Sequence, residues 1–212
     1  LNGHCNSPRA MAQSPTSFLC AKLASAIQSS SEVSKEPSLH PPVETIAISF
    51  CCAEHLDRKD PHQGAQGIIR SLIAQLLVYY NKFDSRLIKQ LLKSDLDHLK
   101  PLCATLKIMI NELPEEVALT CIINAITIHE DSKARCKKVD SVLDTLIEIA
   151  ESDDELKCAF KLLVTSPRVS RRYSARTGGK ACATVLMMPE KVASQGAFTK
   201  TKWGDNMQAG QN

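Results

Sequence analysis

Polar residues close three short apolar runs, and those closing positions are where a parallel sheet does its chemistry. The first run, Thr45 to Cys52, ends in Ser49-Phe50-Cys51-Cys52. In the second, Val117 to Ile126, Asn124 follows Cys121-Ile122-Ile123. The third, Lys161 to Thr165, leads into Ser166-Pro167. Each has the length of a buried strand, and open parallel sheets bind ligands outside the carboxyl ends of their strands. An amide oxygen there can touch a magnesium ion or its water but brings no negative charge, which lowers affinity. Arg168, Arg171 and Arg172 follow the third run and could approach a phosphate through bidentate bonds. The plainer reading of that stretch is a basic surface loop, and Glu130 and Asp131 after the second run read equally as solvated loop acids.

Two other chemistries have partial signatures. Cys51, Cys52, His55 and His62 include a Cys-x-x-His pair of the kind found in zinc sites. Adjacent residues of a strand face opposite ways, however, so Cys51 and Cys52 could hardly share one ion. A nucleophilic cysteine needs a lowered pKa and a neighbouring base, and no local Cys/His signature supplies them.

The elements that must position these groups follow from pattern. The 212 residues suffice for one sizeable core, and 4% aromatic content makes that core aliphatic. Residues 1–16 read as a loop, and Ser17 could cap a helix to about Gln28 with Phe18, Leu19, Leu23 and Ile27 on one side. Ser29 to Pro42 reads as a Ser/Pro-rich linker. Helical spacing recurs over Gly67 to Tyr80, Arg86 to Lys93, Leu102 to Leu113 and Val139 to Ile149. After a basic loop from Arg168 to Lys180, Ala183 to Met188 is a last strand candidate, and residues 197–212 are expected to form a disordered tail. Strands alternating with helices predict an α/β fold, a parallel sheet flanked by helices.

Charge is uneven. Residues 161–212 carry +7 and residues 51–160 carry −4. A basic end could meet phosphate, nucleic acid or an acidic membrane, but a solvated tail is the simpler reading, and nucleic acid is not an expected partner. Nine scattered cysteines, no secretory signal and no stretch long enough to span a membrane together suggest a cytoplasmic setting with free thiols. Leu1 is not an initiating methionine, which suggests a fragment.

The stretch from Ser49 to Leu77 carries Phe50-Cys51, His55, Asp60-Pro61 and then Gly67-Ile68-Ile69-Arg70-Ser71-Leu72-Ile73-Ala74-Gln75-Leu76-Leu77. With Cys121 to Ile126 and Phe160 to Pro167 behind it, this order resembles the core of fungal NACHT-like signal-transduction (STAND) P-loop NTPases, over roughly residues 17–196. The resemblance implies a P-loop NTPase-like sheet of strand order 5-1-4-3-2 whose first strand is incomplete, since only Leu1 to Cys5 precede the loop. A working P-loop reads Gly-x-x-x-x-Gly-Lys-Ser/Thr. On that register Ala10 replaces the first Gly, Pro15 the last Gly and Thr16 the Lys, while Ser17 keeps the hydroxyl.

The resemblance then assigns Thr16, Ser17, Asn124, Thr165 and Arg168 to nucleotide binding and Ser17 and Asn124 to magnesium. Glu130 becomes the residue that orients an attacking water. The cofactor implied is ATP or GTP with Mg, or none where the grip has eroded. The expected function is a remnant signalling module with weak or absent nucleotide binding and no hydrolysis, with protein partners. The alternatives are a non-catalytic protein-interaction scaffold, or a truncated gene product without activity.

Overall fold

The computed structural model describes residues 14–33, 43–57, 59–91, 93, 95–131, 133–152 and 156–166. Helix α1 (Pro15–Val33) is followed by strand β1 (Glu44–Cys51) and helices α2 (Gly64–Tyr79), α3 (Ser85–Leu91) and α4 (Leu99–Asn111). Strand β2 (Val117–Asn124), a 3-10 turn (Ile126–Asp131), helix α5 (Lys133–Glu151) and strand β3 (Ala159–Val164) complete the order. The strands form one parallel sheet in the order β1-β2-β3, registered Glu44 to Val117 through Cys51 to Asn124, and Ala118 to Ala159 through Ile123 to Val164. This is an α/β fold. The expected strand at Ala183 to Met188, the basic loop before it and the tail lie outside the described residues.

The strands form because β-branched and apolar residues alternate between two faces that are both covered, as in parallel sheets generally. On one face Ile46, Ile48, Phe50, Leu119, Cys121 and Ile123 meet α2, α4 and α5. Leu72 and Leu76 of α2, Leu106 and Ile110 of α4, and Val139, Val142 and Leu146 of α5 are fully buried there. Each such side chain contributes about 1.5–3 kcal/mol relative to exposure. On the other face Ala47 and Ile122 pack against Cys20 and Ala24 of α1.

Helix α1 departs from its sequence reading in two ways. It starts at Pro15, and the cap is Ser14, whose Oγ accepts the Ser17 N–H at 3.1 Å. Pro15 therefore sits at the first helical position, where a missing N–H costs nothing. The helix also continues to Val33, five residues into the expected linker. Its buried face is Cys20 and Ala24, while Phe18 is half exposed and Leu23 faces solvent. Small residues let the helix axis approach the sheet where Ala47 leaves room, Ile27 packs half-buried beside them, and Phe18 and Leu23 are turned outward.

At its amino end α2 is packed tightly on the loop that leaves β1. Gly64 has φ 74°, a left-handed conformation that suits glycine. A Cβ on Gly67 would run into the backbone carbonyl of His62. That close approach is why the helix carries a glycine there. The outer edge of β1 is covered at Ser49, whose N–H is accepted by Gln75 Oε1 at 2.9 Å and whose carbonyl accepts from Gln75 Nε2 at 2.8 Å. A side-chain amide thus takes the place of a neighbouring strand at one residue.

Candidate functional site

All three strands end at one level, and their backbones remain hydrogen-bonded one residue further. Cys52 N–H donates to Asn124 O, Thr165 N–H to Ile123 O and Ile126 N–H to Thr165 O. Asn124 and Thr165 are therefore clamped, not carried on free loops. Between them the chain turns at Ala125, which has φ 61° without being glycine. A left-handed alanine is mildly strained, and such strain collects where a turn must aim particular groups.

The clamped groups meet. Thr165 Oγ1 donates to Asn124 Oδ1 at 2.6 Å, and Asn124 Nδ2 donates to Ser17 Oγ at 2.7 Å and Cys51 Sγ at 3.2 Å. Ser17 Oγ is also hydrogen-bonded to Ser14 Oγ at 2.9 Å, and Ser14 Oγ to Thr16 Oγ1 at 2.8 Å. Thr165 Oγ1 accepts from Ala125 N–H at 3.3 Å and from the Cys20 thiol at 3.9 Å. Thr16, Ser17, Asn124 and Thr165, assigned together from the sequence, thus form one continuous network. Arg168 lies outside the described residues. Glu130 belongs to the 3-10 turn just beyond β2, and its side chain is outside the described set.

A cleft of about 650 Å³ opens over this network, between the start of α1, the end of β1 and the inner face of α2. Ser14, Ser17, Cys51 and Asn124 line it, with Glu54 and His55 from the loop after β1. His55 stacks on Phe50 at 4.6 Å, and its Nδ1 pairs with Asp60 Oδ2 at 2.8 Å. The His62 backbone N–H and His55 hold the Asp60 carboxyl below its usual range. Burial pushes the Cys51 thiol up, and the Asn124 donor only partly offsets this. Cys20 is raised by burial as well, with Thr165 opposing. Neither sulfur is an activated nucleophile. Among the described residues no group of three or more His, Cys, Asp or Glu is placed to hold a metal ion.

The described lining offers little charge to hold a magnesium triphosphate. No Lys or Arg lines it among the described residues, and Glu54 adds a negative charge. Two like charges 4 Å apart repel by about 1 kcal/mol in water and about 4 kcal/mol near a protein surface. The two oxygens assigned to a metal, Ser17 Oγ and Asn124 Oδ1, already take part in internal hydrogen bonds. Arg70, prominent in the sequence motif, points elsewhere: its Nη2 donates to Leu96 O and Asp97 Oδ1, tying α2 to the segment before α4.

Several of these partners escaped the sequence reading. Ser14 had a signal, being a hydroxyl directly before a proline and a helical run. The His55–Asp60 pair, the Gln75–Ser49 clasp and the Cys20–Thr165 contact join residues whose spacing carries no motif. No family model, curated protein or solved structure matches the chain. No helix of the described residues is long and apolar enough to cross a membrane.

Proposed function

We propose that the chain is a remnant NACHT-like signalling NTPase module, with weak or absent binding of ATP or GTP and no hydrolysis. The observation that carries this reading is the bonded series Thr165–Asn124–Ser17, which joins two adjacent strand ends to the first turn of α1. Those are the three positions that a P-loop NTPase uses for its phosphate sensor, its metal-side acid and its P-loop hydroxyl. The parallel order β1-β2-β3 also agrees with the second, third and fourth strands of a 5-1-4-3-2 sheet. What is missing is charge: threonine stands for lysine at 16 and asparagine for aspartate at 124.

The polar groups that would receive nucleotide instead satisfy one another. That favours, as the second reading, a scaffold that keeps the architecture of a switch for protein contacts alone. Titration with a fluorescent ATP analogue and magnesium separates the two. Saturable millimolar binding, weakened in Ser17→Ala and Asn124→Ala proteins whose circular dichroism is unchanged, supports a residual site. No binding at millimolar nucleotide supports the scaffold or a remnant whose grip is wholly lost. Micromolar affinity, or phosphate release that disappears in Glu130→Gln, would overturn both.

A further inference from the structure

The cleft has a chemical polarity of its own. One wall consists of acceptors. Glu54 presents an exposed carboxylate, and His55 Nδ1 pairs with Asp60 Oδ2, an arrangement that in the Nδ1–H tautomer turns Nε2 into an acceptor. The Asp60 carboxylate, fixed by the His62 backbone N–H at 2.7 Å, stands behind that imidazole and adds its negative field. The apolar part of the lining is the half-exposed ring of Phe18, while Phe50 is buried and backs the His55 ring from the core side. Aromatic faces attract cations. Phe18 already does so, since the Lys22 ammonium lies 5.6 Å from its centroid, although Lys22 does not line the cleft. The volume falls in the range of small-molecule sites.

We propose that this cleft binds a small organic ammonium ion with an apolar body. Its N–H groups are given to Glu54 and His55 Nε2, and its body rests against Phe18 and the Phe50–His55 stack. The inference goes beyond the nucleotide reading and does not depend on it, because it follows from the charge and shape of the cleft alone. It also implies the opposite ligand charge. The serine hydroxyls on the α1 side are engaged with each other and with Asn124, so the free hydrogen-bonding capacity of the cleft is concentrated on the Glu54–His55 wall.

Three probes of nearly one shape test it: benzylammonium, benzyl alcohol and benzoate, titrated into the full chain and followed by amide NMR. Benzylammonium should bind in the millimolar range, roughly three- to tenfold tighter than benzyl alcohol, as suits one partly solvated carboxylate and its hydrogen bonds. Benzoate should be weaker than both. Shifts should centre on Ser17, Glu54 and His55, and Glu54→Gln should reduce the ammonium to the affinity of the alcohol. Glu54 is exposed, so that variant is expected to fold normally, which circular dichroism checks. The proposal fails if benzoate binds as well as benzylammonium, if shifts lie outside the cleft, if the cation keeps its advantage in Glu54→Gln, or if no probe binds at its solubility limit. A parallel magnesium-ATP titration keeps the two ideas separate, because tight ATP binding overturns the eroded-site reading while the ammonium preference is still judged by the Glu54→Gln difference.

Discussion

Acidification should destabilise this protein through one residue, His129. It lies in the 3-10 turn after β2, is 1% exposed, and has neither ring nitrogen hydrogen-bonded. Burial pushes its pKa down to about 4, and the positive charge of Arg135 acts in the same direction. In the unfolded chain the imidazole titrates near its ordinary value of about 6.5. Above that pH both states are neutral and stability is at its full value. Between about 6.5 and 4 the unfolded state takes up a proton that the folded state refuses, so stability falls as pH falls. The slope approaches about 1.4 kcal/mol per pH unit and the total loss by pH 4 is about 3 kcal/mol. Asp60 and Asp95, whose carboxyls are held low, lose their contributions only as pH falls through and below the ordinary carboxylate range, so they leave the interval from pH 7 to 5 to the imidazole.

Urea denaturation followed by far-ultraviolet circular dichroism at half-unit pH steps reads this directly. His129→Leu is the control. Leucine has no polar atom to desolvate, so the variant should be more stable at pH 7, by about 1–3 kcal/mol. Its stability should also stay flat from pH 7 to 5. A wild-type curve that is itself flat over that interval, or a His129→Leu curve that falls in parallel with it, would refute the reasoning.

Two further outcomes follow from packing. Gly67→Ala places a methyl group against the His62 carbonyl, a backbone atom that cannot swing aside, and should cost about 2–3 kcal/mol in a thermal or urea melt. Hydrogen exchange should localise the damage to the loop that carries His55 and Asp60. Among the seven described cysteines only Cys51 is not fully buried, so peptide mapping after a short pulse of iodoacetamide should find it modified first. Cys121, buried in β2 and pushed up to about 12, should be among the last, and modification of Cys121 ahead of Cys51 would contradict the placement of both.

The sheet was legible because buried parallel strands need continuous apolar runs, and Thr45 to Cys52, Val117 to Ile126 and Lys161 to Thr165 are such runs. Their observed bounds agree to within two residues at every end, and the start at Val117 coincides. The meeting of Asn124 with Thr165 was legible for the same reason, since neighbouring parallel strands end side by side. Helix α1 was less so. Its apolar residues suggested a face of Phe18, Leu19, Leu23 and Ile27; Ile27 does pack on the sheet, but cysteine and alanine make the most buried contact because a helix lies closest to a sheet where side chains are short. Hydropathy ranks Phe18 above Ala24, and packing reverses that order. His129 could not have been found from sequence at all. A lone histidine after a strand carries no sign that the 3-10 turn will fold it inward and leave both nitrogens unpaired.

The chemistry of residue 124 bears on how such a cleft can change its ligand without losing its fold. An aspartate at the end of β2 would offer only acceptors, and its charge would need a cation or several donors near it. Asparagine offers acceptors and donors together. Both ends of its amide are used, one by Thr165 and the other by Ser17 and Cys51. The residue thereby fastens α1, β1 and the end of β3 to the end of β2 with three hydrogen bonds, each worth roughly 0.5–1.5 kcal/mol when an oxygen or nitrogen accepts and less for sulfur. A metal ion would have to compete with those bonds for the same oxygens and would find no carboxylate at this position to neutralise it. Stability and triphosphate binding are therefore opposed at one residue. Among the described residues the carboxylate lining the cleft is Glu54, outside the hydrogen-bonded network, and that is where a ligand of positive charge gains most while disturbing the network least.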